Sequence, residues 1–411
     1  MPRRAVEFGC AILVIGLLAG LAGAATTLVL HGVEHATYHY TLGTLLSGVE
    51  SSTHLRRAVG PMLGGALAGC GWWLLHRRYQ VPALSETIAG RRPVPRLVMT
   101  VDAGLQVLLV GSGASLGREG APRQLAAAWG DLGTSRLTLT EQDRRILLAC
   151  AAGAGLAAVY SVPLGGALFA TRILLGTWHP RAVGTALITS SLAVAVAAPV
   201  THLEHPLVWP DARLSPLLGF LALALAPLAA AVGLVFDRVS TAARRRAAHS
   251  WAVIPAIAAA GLATGVCSIW LPELPGNGRS VLQVSVNSGL TLTAAAAILL
   301  LKPLLTAVFL RAGAVGGLLT PALATGAAAG SVVALGLDQW AGTQLHVATM
   351  SLACAAGVLA ITQRSPLFST LFVWELARPP LWLLAVFAVC AYASYGLAVL
   401  RWRHRGVTAA A

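Results

Sequence analysis

Apolar residues fill this chain in long blocks separated by short polar or basic punctuation. The first block, Phe8–Leu30, gives way to HGVEHATYHY, and a second, about Ala58–Leu75, ends at Arg77 and Arg78. A membrane-crossing helix needs roughly 20 mostly apolar residues, so blocks of this size predict transmembrane helices. The segment VPALSETIAG is too short and too polar to cross, and Pro82 suits the first turn of a half-helix. Further on, AAGAGLAAVYSVPLGGALFATRILL is apolar but cut by Pro163, Gly165 and Gly166. In the second half, the runs around GAVGGLLTP and QRSPLF are broken in the same manner. A long helix between them ends at Arg244, Arg245 and Arg246.

The breaks repeat. Pro122 and Pro321 align at an offset of 199, and Pro163 and Pro366 at 203. Internal repeats with discontinuous helices are a transporter pattern that places the substrate site where the repeats meet. The expectation is one transmembrane domain over residues 1–411. It comprises a first repeat over about 8–200, a linker at 201–212, a second repeat over about 213–400, and no soluble domain.

Composition agrees with that reading. The chain is 56% apolar and 11% charged, against about one quarter charged for soluble domains. The formal charge of +14 comes almost wholly from arginine, with Lys302 the only lysine. The basic residues flank apolar runs instead of forming a patch interleaved with aromatics, which argues against nucleic acid as a partner. A positive-inside bias accounts for them. Basic ends then place both termini in the cytoplasm, with an even number of crossings, in the plasma membrane. Lys302 itself reads as a functional charge or as a snorkelling or paired residue near a helix end. Six cysteines stand singly, so neither a disulfide frame nor a zinc site is expected. The first apolar block is too long for a signal peptide and reads as a retained helix. His31, His35 and His39 share a helical spacing of four, which keeps an intramembrane metal enzyme open as an alternative. No other cofactor is implied.

The chemistry concentrates in Gly111–Gln124, GSGASLGREGAPRQ. Four glycines let this backbone turn tightly and approach a ligand closely. Arg118 and Glu119 sit inside it, although a charge at membrane depth costs about 2.5–3.5 kcal/mol even on insertion scales. A Gly-rich break that opens a helix directs N–H groups outward, as an anion site requires. Glu119 is the anion the sequence itself supplies there, and it is expected to compete with a mobile one.

These motifs resemble the CLC chloride channels and chloride/proton antiporters. GSGASLGREGAP resembles the family's G-[KR]-E-G-P motif, GAVGGLLTP its G-x-F-x-P strip, and Tyr395 in SYGLAVL its terminal filter tyrosine. PGNG, VPLGG and RSPL follow in the family's order, over about residues 8–400. The resemblance implies an all-α polytopic membrane fold of about 18 tilted and discontinuous helices in two inverted repeats. It also implies a homodimer in the lipid bilayer, with one chloride pathway per subunit. Helix N-termini and two hydroxyls would cradle the anion. Glu119 would be the gate, with Tyr79, Gly117, Arg118, Gly120, Gly317, Leu318, Leu319 and Tyr395 along the anion pathway.

Several positions depart from the family pattern. The first filter motif, G-S-G-x-P, reads Arg78-Tyr79-Gln80-Val81-Pro82, which loses the serine and leaves Tyr79 or a backbone group to substitute. Ala121 follows GREG, with Pro122 one place later, and Leu319 replaces the filter phenylalanine. Ile173 stands where antiporters carry an internal proton-transfer glutamate, beside Arg172. The expectation is therefore passive conduction of chloride or a related small anion. A chloride/proton or fluoride/proton antiporter remains the alternative, and the eroded filter also leaves a non-conducting family member open. At the 203 offset Glu375 is the counterpart of Arg172, and the cost of two unpaired charges suggests an ion pair between them.

Overall fold

The structure is a computed structural model that describes residues 2–41, 43–90, 92–201, 207, 209–210, 216–343 and 345–404. Among these the regular elements are helices, joined by turns and short linkers. The first half holds α1 (Pro2–Tyr38), α2 (Leu45–Ser51), α3 (His54–Arg78), α4 (Leu84–Ile88) and α5 (Arg96–Gly111). There follow α6 (Gly120–Gly133), α7 (Glu141–Tyr160), α8 (Pro163–Leu168), a π-helical turn (Phe169–Leu174) and α9 (Pro180–Thr201). The second half holds α10 (Pro216–Arg245), α11 (Val253–Cys267), α12 (Arg279–Val286) and α13 (Leu292–Arg311). It closes with α14 (Leu319–Ala341), α15 (Val347–Thr362), α16 (Pro366–Ala377) and α17 (Leu383–His404). Eight of the described helices are long and apolar enough to cross a membrane. The expected half-helix after Arg78 is α4, which begins at Leu84, two residues beyond Pro82.

The two Pro-broken segments end and restart alike. Ser161 is left-handed at φ 55°, followed by Val162 and Pro163; Arg364 is left-handed at φ 51°, followed by Ser365 and Pro366. A left-handed residue closes one helix, and the residue before proline is driven out of the helical region. Proline then opens the next helix at its first turn.

The chain packs as two compact units. The first comprises Met1–Val33, Cys70–Leu109 and Arg118–His205; the second comprises Glu34–Gly69, Val110–Gly117 and Pro206–Ala411. In the first, α7 is buried continuously from Ile146 to Tyr160. Its small residues let backbones approach: a Cβ on Gly155 would lie 2.4 Å from the Pro122 carbonyl oxygen on α6. Such contacts replace the hydrophobic driving force that lipid removes. Thr140 caps α7 by accepting from the Asp143 N–H at 3.1 Å. Leu13, Leu17, Leu21 and Leu28 form an exposed apolar stripe on α1, as a lipid-facing helix requires. The buried Asp102 of α5 accepts from Trp72 Nε1 at 2.7 Å and Gln106 Nε2 at 2.8 Å.

In the second unit, α14 is buried along most of its length beside α15. A Cβ on Gly330 would lie 2.3 Å from the Met350 carbonyl oxygen. Leu274, Val281, Ile298, Leu305 and Ala324 join the loop before α12 to α13 and α14.

A clamped glycine loop and a buried glutamate

The segment Val110–Gly117, which runs on from the end of α5 in sequence, is held within the second unit at Ser112, Gly113, Ser115 and Gly117. Gly117 N–H donates to the Gly317 carbonyl at 2.8 Å, and Gly317 N–H returns the bond at 2.9 Å. This antiparallel bridge is the one β pairing among the described residues. Thr306 Oγ1 donates to the Ser115 carbonyl at 2.8 Å, Gly276 N–H to the Gly113 carbonyl at 3.1 Å, and Tyr38 Oη to the Ser112 carbonyl at 3.4 Å. Gly316 accepts from Arg244 Nη2 at 3.4 Å.

Lys302 supports the same loop at second hand. It is 0% exposed, and its Nζ donates to the carbonyls of Leu274 and Gly276, each at 2.8 Å. Of the three expectations for this residue, neither snorkelling nor pairing near a helix end describes that position mid-helix, and the functional-charge reading is untouched by it.

Past Gly317, Leu318 takes a helical conformation at φ −117° and Leu319 opens α14, with no side chain capping the helix. Donors at a helix start favour anions, and the macrodipole adds to them.

The first unit holds the acid. Glu119 is 0% exposed and stands at the N-cap of α6, directly before Gly120. Its carboxylate does not cap its own helix. Tyr160 Oη, at the end of α7, instead donates to Glu119 Oε2 at 3.3 Å. Arg118 lies 5.1 Å over the Tyr160 ring and donates from Nη2 to the Val159 carbonyl at 3.3 Å. Arg123 Nε donates to the Glu119 carbonyl at 2.7 Å, and its guanidinium lies 5.0 Å over the Phe169 ring. The Tyr160 hydroxyl is a neutral donor to this carboxylate, so that contact does not carry the attraction of a bidentate ion pair.

Each of the other candidates belongs to one unit or the other. Tyr79 is 52% exposed, just beyond α3. Tyr395 lies in the body of α17, its ring edge-on to Trp402 with centroids 5.9 Å apart. Arg172 lies 4.8 Å over the Trp178 ring, and Ile173 is its neighbour in the π-helical turn. Glu375 is buried in α16. The histidine spacing does not survive as one helical face. Helix α1 stops at Tyr38, and His39 turns left-handed at φ 56°. Among the described residues no group of three His, Cys, Asp or Glu side chains is placed to hold a metal.

Tyr160 and Thr306 carry no motif that sequence reading could have caught, and Arg123, though inside the Gly111–Gln124 stretch, is not singled out there. The one available signal was a tyrosine closing the alanine- and glycine-rich second half of a helix.

A family model described as voltage gated chloride channel matches residues 64–397. The Escherichia coli (strain K12 / DH10B) voltage-gated ClC-type chloride channel ClcB is 28% identical over 397 residues, with 93% of each chain covered. Among solved structures, a slow cyanobacterial Cl−/H+ antiporter superposes with a TM-score of 0.80 at 20% identity, covering 98% of each chain. A CLC-type fluoride/proton antiporter gives 0.72 at 22% identity, covering 96% of this chain and 95% of its own. Those two likenesses show the fold. The family match spans most of the sequence and includes both halves of the clamped loop: the chain belongs to the voltage gated chloride channel family.

Proposed function

We propose that this protein carries chloride or a related small anion across a bilayer, passively, with Glu119 as the gate. The observation that carries the reading is a fully buried carboxylate at the start of a helix, held by Tyr160 and not by that helix's own N–H groups. Ionised, Glu119 competes with the anion for the same donors; protonated, it loses the charge that made it a competitor. The N–H groups near Leu318 and Leu319 are proposed as further donors to the anion. They bind without a full cation that would trap it, and conduction needs sites that release. A homodimer in the plasma membrane with both termini cytoplasmic is part of the proposal.

The coupled alternative draws on the two antiporters that share the fold. Against it, Ile173 cannot relay a proton, and no residue of the π-helical turn FATRIL is an acid. Chloride and proton fluxes measured together in liposomes decide between the two. Passive conduction predicts that a chloride gradient drives no uphill proton movement, and uphill movement overturns it. Glu119→Gln is expected to give anion flux that no longer varies with pH; an unchanged pH dependence removes Glu119 from the gate.

A further inference from the structure

We propose that Tyr160 is an anion ligand: its hydroxyl, which holds Glu119 in the present structure, donates to the transported anion when the carboxylate leaves. The inference rests on the gate reading above.

The geometry consists of three contacts in one unit. Tyr160 Oη lies 3.3 Å from Glu119 Oε2, and both residues are buried. Arg118 lies over the face of the Tyr160 ring. Arg123, the other cation against this acid, is fixed on the Glu119 carbonyl by its Nε. An O–H that donates to a carboxylate oxygen serves a halide equally well, because both are anions accepting a charge-assisted hydrogen bond. A guanidinium against the ring face is attracted to its π electrons and draws density from the phenol, which makes the O–H a stronger donor. The hydroxyl is also neutral, so it binds an anion without becoming a trap. One donor therefore serves two acceptors in turn, and the departure of Glu119 creates the site.

The test separates the ligand from the gate. Chloride binding is measured by calorimetry on purified Glu119→Gln and on Glu119→Gln/Tyr160→Phe, where no carboxylate competes for the hydroxyl. Loss of the O–H is expected to weaken chloride binding about tenfold, the order for one hydrogen bond to a charged group. Equal affinity in the two proteins overturns the proposal, while a pH dependence abolished by Glu119→Gln alone would leave the gate standing. If Glu119→Gln leaves pH dependence intact, the gate reading fails and the ligand inference falls with it. Should the phenylalanine variant not fold, 3,5-difluorotyrosine at position 160 keeps the ring and sharpens the donor. Tighter chloride binding is then expected, and unchanged binding refutes the role.

Discussion

Gly113 and Tyr38 meet where no side chain fits: a Cβ on Gly113 would fall 2.1 Å from Tyr38 Oη. Gly113 also stands at φ 107°, a conformation L side chains rarely adopt. Gly113→Ala therefore combines backbone strain with a collision. We expect a loss of more than about 1 kcal/mol of stability. Thermal unfolding in detergent should show a lower midpoint, and liposome flux should fall because the same loop continues to Gly117. An unshifted midpoint would mean that the loop relaxes freely.

Lys302 gives a second prediction. Lys302→Met keeps the bulk of the side chain but removes the donor to two buried carbonyls, at about 1–3 kcal/mol for each group left unsatisfied. The effect should spread, because Gly276, whose carbonyl accepts one of the two Lys302 bonds, also holds Gly113 through its N–H. Lys302→Arg retains charge and donors on a longer side chain and should fall between the two. The order wild type, arginine, methionine in thermal midpoint checks this; equal loss in both variants would point to packing instead of hydrogen bonding.

The chain's motifs located the loop but not its supports, and the reason is physical. Gly117 and Gly317 lie in two Gly-rich breaks, and backbone pairing at such breaks follows from the absence of side chains. The broken helices at Pro163 and Pro366 were equally plain, since proline restricts the residue before it whatever the tertiary setting. Tyr160 was not visible, because its contact with Glu119 closes across 41 residues and depends on how α6 lies on α7. His39 shows the opposite limit. A spacing of four implies a shared face only while the helix lasts, and α1 ends one residue too early.

Glu273, in the loop before α12 and outside the membrane-spanning helices, supplies a pH prediction. Its Oε2 is buried without a hydrogen-bond partner. Burial pushes its carboxyl pKa up, a backbone hydrogen bond opposes this, and the charge on Glu50 adds to the rise. A raised pKa means the folded protein holds this proton more tightly than the unfolded chain does. Stability is therefore fullest below the ordinary glutamate range and declines as pH rises through the folded value. Glu273→Gln should flatten that decline and raise the thermal midpoint at neutral pH relative to wild type. A decline of unchanged slope would assign the pH dependence to another group.

The π-helical turn at Phe169–Leu174 bears on how relatives are compared with this chain. A π turn inserts one residue beyond the α-helical count, and each residue rotates a helix by about 100°. Matching positions by number across it can thus land on the wrong face. The identity of the residue facing any one direction is sensitive to that slip. The conclusion drawn from it is not, because Phe, Ala, Thr, Arg, Ile and Leu are the six residues on offer. Whichever register an alignment adopts, this turn presents nothing that can carry a proton as a carboxylic acid.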